Sequence, residues 1–342
     1  MTTVALAGGT GAAKLVRGLA RLVDPRDLTV LVNTGDDALV WGLAVSPDLD
    51  TICYALAGAL DVERGWGLRD ESWNALGQMA RFGEPTWFGL GDRDLATHLH
   101  RTRLLAAGQT LHEVTASVAA ALGVAVTVLP MSDHPVRTRI LGPDGWLDFQ
   151  EYFVRDKAQV EVRAVTYAGA EAARPAPGVL DAIAGAEALV LCPSNPITSI
   201  GPILAVPGIR AAIEAARAPV VAVSPIVGHD AVSGPAGRLM AASGLPVSAA
   251  GVARAYMPWL DALLIDERDH AESPEIERFG ARPILAPIIM RGADDEIELA
   301  RRVLAAATEA PERSAVRAPS LPAQSGSRRG SEGAVRPPSI GE

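Results

Sequence analysis

The chain has 342 residues, 49% of them hydrophobic and 21% charged, with a formal net charge of −9 at pH 7. That balance is ordinary for a globular protein with a large core, and the acidic excess argues against a broad nucleic-acid-binding surface. No apolar run has the length of a membrane span, and the N-terminus enters a strand pattern without the regions of a signal peptide. Cys53 and Cys192 are far apart and give neither a disulfide framework nor a zinc pattern. The expected setting is the cytoplasm, with no membrane and no nucleic acid, and with both cysteines as small buried apolar residues.

In chain order, apolar runs predict buried strands at Thr3–Ala7, Leu28–Asn33, Val124–Leu129, Ala188–Cys192, Pro219–Ser224 and Ala262–Ile265. Continuous apolar strands are the mark of a parallel sheet covered on both faces. Helical periodicity falls between them, at Ala12–Leu22, Leu49–Ala59, Ser72–Phe82, Ala96–Ala107 and Thr110–Leu122. The alternation predicts an α/β fold: a doubly wound, mostly parallel Rossmann-like sheet with helices on both faces, plus a smaller helical/β insertion. Residues 1–310 read as a single domain. It carries a helical cap over roughly 50–125 and a small β insertion over roughly 135–165, with strands expected at Trp146–Val154 and Gln159–Val165. From Pro311 onward the composition turns to Ser, Arg, Pro and Gly, which predicts a disordered tail over 311–342.

Several strand ends carry chemistry. Gly8-Gly9-Thr10-Gly11 lies between the first strand and the first helix, with Lys14 one turn in. Such a loop brings free N–H groups and a positive dipole end toward a phosphate, or it is only a tight strand–helix turn. It lacks the Walker spacing and the full dinucleotide fingerprint. Asn33-Thr34-Gly35-Asp36-Asp37 ends the second strand. Its acids could hold a sugar hydroxyl or magnesium, or could form an Asx turn with a helix cap. Ser46-Pro47-Asp48-Leu49-Asp50-Thr51 opens a helix. Ser46 as N-cap, Pro47 at the first position and Asp48 at the dipole are explained by structure alone; Asp50 is not required by it.

Gly91-Asp92-Arg93-Asp94 opens a further helix. It reads as a cap and salt-bridge cluster, or as an anion- and metal-binding site. Ser132 and Arg137, after the strand that ends at Leu129, are candidate anion ligands, and His134 beside them reads as exposed. Cys192-Pro193-Ser194-Asn195-Pro196-Ile197-Thr198-Ser199 pairs rigid prolines with small polar residues, which favours a ligand loop presenting Ser194, Asn195 and Ser199.

Together and in this order, the strings AGGTGAAKLVRGL, VNTGDDALVWGLAVSPDLDT, GWGLRDESW, WFGLGDRDLATHL, PMSDHPVRT, CPSNPITSIGPILAVPGIR, SPIVG and LLIDERDHA resemble the 2-phospho-L-lactate transferase family of coenzyme F-420 biosynthesis. The resemblance covers about residues 2–305. It implies a magnesium-dependent transfer of a phospholactyl or phosphoenolpyruvyl group. The donor is linked to guanosine diphosphate, the acceptor is the ribityl hydroxyl of the deazaflavin Fo, and GMP is released. It also implies a homodimer.

Carried onto this chain, the expected catalytic residues are Asp50, Asp92 and Arg93. Gly9, Thr10, Gly11, Lys14, Ser194, Asn195, Ser199 and Arg137 would hold the nucleotide and its phosphates. Asp50, Thr51 and Gly89 would contact Fo, and Asp36, Asp37 and Asp94 would supply magnesium ligands or their partners. Trp41 and Trp87 are candidates to border the deazaflavin or to pack helices. Two other readings stand beside this one: a nucleotide-sugar-binding regulator of the YvcK type, and a Rossmann-type oxidoreductase with Asp36 on a ribose. Against the first, VNTGDDALVWG runs on into SPDLDT rather than into a Gly-Ser-Ser-Gly segment. Against the second, the glycine fingerprint is incomplete.

Overall fold

Seven short runs pair into one sheet in the computed structural model, which describes residues 1–310; the expected tail at 311–342 lies outside the described residues. The strands are β1 (Thr3–Ala7), β2 (Leu28–Val32), β3 (Thr127–Pro130), β4 (Ala188–Leu191), β5 (Val220–Val223), β6 (Ala262–Ile265) and β7 (Arg282–Leu285). Their order is β3-β2-β1-β4-β5-β6-β7, and every neighbouring pair is parallel. This is the doubly wound order, with its reversal point between β1 and β4. The expected α/β class holds.

Side-chain alternation explains the two covered faces. Val4, Leu6, Leu31, Leu189 and Leu191 point into one core. Ala5, Ala7, Val30, Val32 and Val190 point into the other. The second core is closed by α1 (Gly9–Leu19), α2 (Pro47–Leu56) and the C-terminal helix Ala293–Glu309. Three more helices follow α2 before β3: α3 (Asn74–Arg81), α4 (Asp92–Ala106) and α5 (Leu111–Ala121). The first core also receives Ile140, Phe149 and Tyr152, from and beside an antiparallel side sheet. Its strands are Arg137–Gly142, Gly145–Asp148 and Ala164–Ala168.

Three local expectations change. The strand expected over Trp146–Val154 stops at Asp148, and Glu151–Arg155 forms a wide helical turn instead. The strand expected at Gln159–Val165 starts only at Ala164, because the chain first reverses through Lys157 and Ala158, both at φ 51°. β7 was not expected at all. Its sequence RPIL contains a proline and is half exposed, a combination tolerated at a sheet edge. Among the described residues no single helix is long and apolar enough to cross a membrane. A bent pair, 196–205 with 209–215, is apolar and long enough in sum, but its Ile200, Ile203, Ile209 and Ile213 are buried in the first core.

Helix α1 lies against the C-terminal helix at Gly18, where an added Cβ would meet the Glu296 carbonyl oxygen at 2.1 Å. Gly18→Ala gains about 1 kcal/mol of helix propensity but must separate two packed backbones. We expect a net loss of about 1–3 kcal/mol, read as a lowered melting temperature; an unchanged or raised one would contradict this packing. Cys53 and Cys192 are both buried, and burial pushes each thiol up to about 12. A thiol reagent at pH 8 should therefore label neither cysteine in the native protein and both after denaturation. Rapid labelling of the native protein would show the burial to be wrong.

Candidate active site

The carboxyl ends of β1, β2 and β4 surround a cavity of ≈ 570 Å³, at the reversal point where such sheets bind ligands. The loop after β1 leads straight into α1, whose N-terminus carries no side-chain cap of its own. Gly9 takes φ 75° there, and an added Cβ would meet nothing within 4 Å, so its face is open. Gly11 is glycine for a different reason: a Cβ would strike the Pro193 carbonyl oxygen at 2.5 Å. That close approach lets the loop after β4 sit against the loop after β1. Ser194 Oγ fastens the pair by donating to the Gly8 carbonyl at 2.9 Å.

Asp48, in the first turn of α2, joins these loops. Its Oδ1 accepts from the Gly9 N–H at 2.8 Å and its Oδ2 from Asn33 Nδ2 at 2.9 Å. Asn33 Nδ2 also reaches the Thr198 carbonyl at 3.2 Å, and its Oδ1 accepts from the Gly35 N–H at 2.8 Å. Asn195 turns its own loop by accepting from the Ile197 N–H at 2.9 Å. Ser46 does not cap α2 with its side chain; its hydroxyl donates to Asp37 Oδ2 at 2.9 Å.

Of the expected residues, Gly9, Thr10, Gly11, Lys14, Asp36, Asp50, Thr51, Gly89, Asp94, Ser194, Asn195 and Ser199 line this one cavity. Lys14 extends along its wall and donates to the Met290 carbonyl at 3.0 Å. Four expected residues are outside the lining: Asp37, Asp92, Arg93 and Arg137. Asp92 is occupied by four hydrogen bonds, from Ser72 Oγ, the Asn74 N–H and side chain, and the Ala75 N–H, at 2.6–3.0 Å. They cap α3 and hold the Asp92 carboxyl below its usual range. Arg93 is exposed and donates to the Arg69 carbonyl at 2.7 Å. Arg137 donates to the Val136 carbonyl at 3.4 Å. Ser132 Oγ is spent on the Arg174 carbonyl at 2.6 Å, and His134 is exposed.

The acids divide into two groups. Asp50 and Asp94 are paired with the cation Arg101 and with His98, described below. Asp36 and Asp48 have no cationic partner among the described residues. Burial, reinforced by the Asp48 charge, holds the Asp36 carboxyl well above its usual range. Burial also raises Asp48, against the bonds from Asn33 and Gly9. Asp36 Oδ1 is buried with no hydrogen-bond partner. Among the described residues no three His, Cys, Asp or Glu side chains form an all-protein metal cage. Two carboxylates lining the cavity without a cation beside them nevertheless fit magnesium, which is usually held by one or two carboxylates together with substrate phosphates. Burial likewise raises Asp37, to about 7, with Arg137 and Arg101 opposing.

Part of the lining is apolar. Phe149 and Phe153 stack with centroids 5.5 Å apart, and Trp66, Phe88 and Met290 also line the cavity. Trp41 and Trp87 do not reach the lining. Trp41 Nε1 donates to the Pro85 carbonyl at 2.9 Å, and Trp87 packs edge-on against Phe88.

Sequence reasoning missed Asn33, Asp48, Tyr54, His98 and Arg101. For His98 and Arg101 a signal existed: with Asp94 they are spaced i, i+4, i+7, one face of a helix. Asn33 and Asp48 carried none, since their partners are distant in sequence.

The chain matches the family described as 2-phospho-L-lactate transferase CofD over residues 3–283. It is 46% identical to a phosphoenolpyruvate transferase of Streptomyces griseus over 315 residues, covering 90% of this chain and 99% of that one. It is 40% identical to a 2-phospho-L-lactate transferase of Methanosarcina mazei over 303 residues, covering 89% and 99%. A solved structure from Bacillus halodurans, titled a member of the upf0052 family, shares the fold with a TM-score of 0.60 at 19% identity, covering 88% of this chain and 98% of that one. With the family match running from β1 into β7 and taking in the loops after β1, β2 and β4, the chain belongs to the 2-phospho-L-lactate transferase family.

Proposed function

We propose that this protein transfers a phosphoenolpyruvyl or phospholactyl group from a guanosine diphosphate-linked donor to the ribityl hydroxyl of the deazaflavin Fo, in coenzyme F-420 biosynthesis. The observation that carries the reading is the make-up of this cavity. It combines a helix N-terminus, two carboxylates without a cation beside them, two paired carboxylates and aromatic lining residues. The first suits a diphosphate, the second a divalent cation bound with it, and the last a flat heteroaromatic ring. Relatives named phosphoenolpyruvate transferase are 44–46% identical and those named 2-phospho-L-lactate transferase 38–40%, which supports phosphoenolpyruvyl as the group carried.

In this reading the ribityl oxygen attacks the phosphorus that bears the acyl-carrying group. The new P–O bond forms as the bond to the bridging oxygen of GMP breaks, and the hydroxyl proton leaves to solvent. Such a transfer needs positioning and charge neutralisation more than covalent help. Thr10 and the backbone after Gly9, with Ser199 and Asn195 opposite, hold the diphosphate. Asp36 and Asp48 would hold magnesium, which supplies charge neutralisation to the phosphate oxygens when bound. Asp50 and Thr51 orient the acceptor. We also propose that the protein works as a cytoplasmic homodimer, as the family resemblance implies.

Incubation with Fo, magnesium and each guanosine donor, followed by mass spectrometry, tests the reading. Formation of the phosphodiester with release of GMP is expected; a nucleotide-sugar-binding regulator would form none. Thr10→Val removes one hydroxyl from the diphosphate wall and should weaken donor binding about 3–10-fold; unchanged affinity would remove Thr10 from the site. Asp50→Asn should leave donor binding intact and lower turnover about 100-fold. Near-normal turnover would end its role with the acceptor.

A further inference from the structure

Helix α4 presents Asp94, His98 and Arg101 on one face, and all three are at most 8% exposed. The Arg101 guanidinium grips both oxygens of Asp50: Nη1 reaches Oδ2 at 3.0 Å and Nη2 bonds Oδ1. Nη1 also lies 3.3 Å from His98 Nδ1 and 3.4 Å from the Ala44 carbonyl. A guanidinium can only donate. His98 Nδ1 is therefore the acceptor, and the ring proton sits on Nε2. That nitrogen makes no hydrogen bond and lies 3.4 Å from Asp94 Oδ1, an oxygen that accepts from the Tyr54 hydroxyl at 2.6 Å. Asp50, Tyr54, Asp94 and His98 line the cavity, whereas Arg101 stands behind them.

Such a network is a costly way to gain stability. Burying a charge pair costs about as much as its attraction returns, and an apolar pair of similar volume often does as well. What the pair gives is location. The planar fork fixes the Asp50 carboxylate in both position and plane. With both Asp50 oxygens engaged, the carboxylate is suited to orient an incoming hydroxyl through its remaining lone pairs rather than to roam as a base.

We propose that Arg101 is the positioning residue of the acceptor half of the site, acting directly through Asp50. The proposal rests on the reading that Asp50 meets the acceptor. It separates the cavity into two halves that can be disturbed independently: the Gly8–Gly11, Asn33 and Asp48 side for the donor, and the α4 side for the acceptor.

The test uses Arg101→Met, Arg101→Lys and His98→Gln in the full chain, with melting temperature as the check on folding. Fo binding is followed by the absorbance of the deazaflavin, GDP binding by calorimetry, and the His98 tautomer by nitrogen-15 imidazole spectra. Arg101→Met should weaken Fo binding about tenfold or more, the loss of a charge-assisted fork, while GDP binding changes less than about twofold. Arg101→Lys should recover part of the Fo affinity, because it keeps charge but not the fork. The nitrogen-15 resonance of His98 Nδ1 should shift in Arg101→Met, which removes the donor to that nitrogen. Equal weakening of both ligands, wild-type Fo affinity in a folded variant, or an unchanged His98 Nδ1 resonance would overturn the proposal. If Arg101→Met fails to fold, Arg101→Lys decides it by the same readouts, and His98→Gln by a loss of Fo affinity without loss of GDP affinity. A wild-type protein that binds no Fo would instead defeat the proposed function, and the imidazole spectra would still show whether Arg101 orders this face.

Discussion

The Asp48 carboxylate is the constraint on which the rest of the site depends. One oxygen holds the Gly9 N–H and the other holds Asn33, which in turn holds Thr198 and Gly35. Four segments that are far apart in sequence are thereby brought into one wall: the loop after β1, the loop after β2, the start of α2 and the loop after β4. A buried carboxylate with no cation beside it is unfavourable, and its raised position records that cost. Hydrogen bonds offset part of it. A cation arriving with a phosphorylated ligand would offset more, so the buried acids Asp36 and Asp48 bias the cavity toward such ligands.

Acidic strand ends are numerous in this chain, and they do different work. Asp92 and Glu71 hold α3 and α4 by accepting backbone N–H groups. Asp50 is paired with Arg101, and Asp94 with the Tyr54 hydroxyl beside His98. Asp36 and Asp48 have no cation beside them among the described residues. Charge pairing, not sequence motif, separates the structural acids from those available to ligand. The D-R-D cluster is the clearest case. It looked like an anion or metal site, yet Asp92 faces the α3 terminus, Arg93 faces a carbonyl, and Asp94 alone reaches the cavity.

Much of the fold was legible because its signals are local. Apolar runs such as ALVL and VVAV read as covered strands, and the start of α2 was marked by Pro47. The edge strand RPIL and the turn at Lys157 and Ala158 were not, since Pro283 and Pro287 interrupt the apolar run around the first and no glycine marks the second. At the site, the loops that meet the ligand were legible as strings. The contacts between loops were not, because the partners of Asp48 and Asp50 lie 15 to 51 residues away or on another strand end. Gly11 illustrates the limit. Its sequence suggests room for a phosphate, whereas the structure uses it to admit Pro193.

The central claim is that Asn33 and Asp48 assemble the cavity from separate loops. It is tested most directly by Asn33→Leu, an apolar replacement of similar size, with GDP and Fo affinities measured beside the circular dichroism spectrum. The account predicts a folded protein whose GDP affinity falls by about tenfold or more, the cost of leaving Asp48 and the Thr198 carbonyl without their shared donor. A folded Asn33→Leu protein that binds GDP as tightly as the wild type would contradict it.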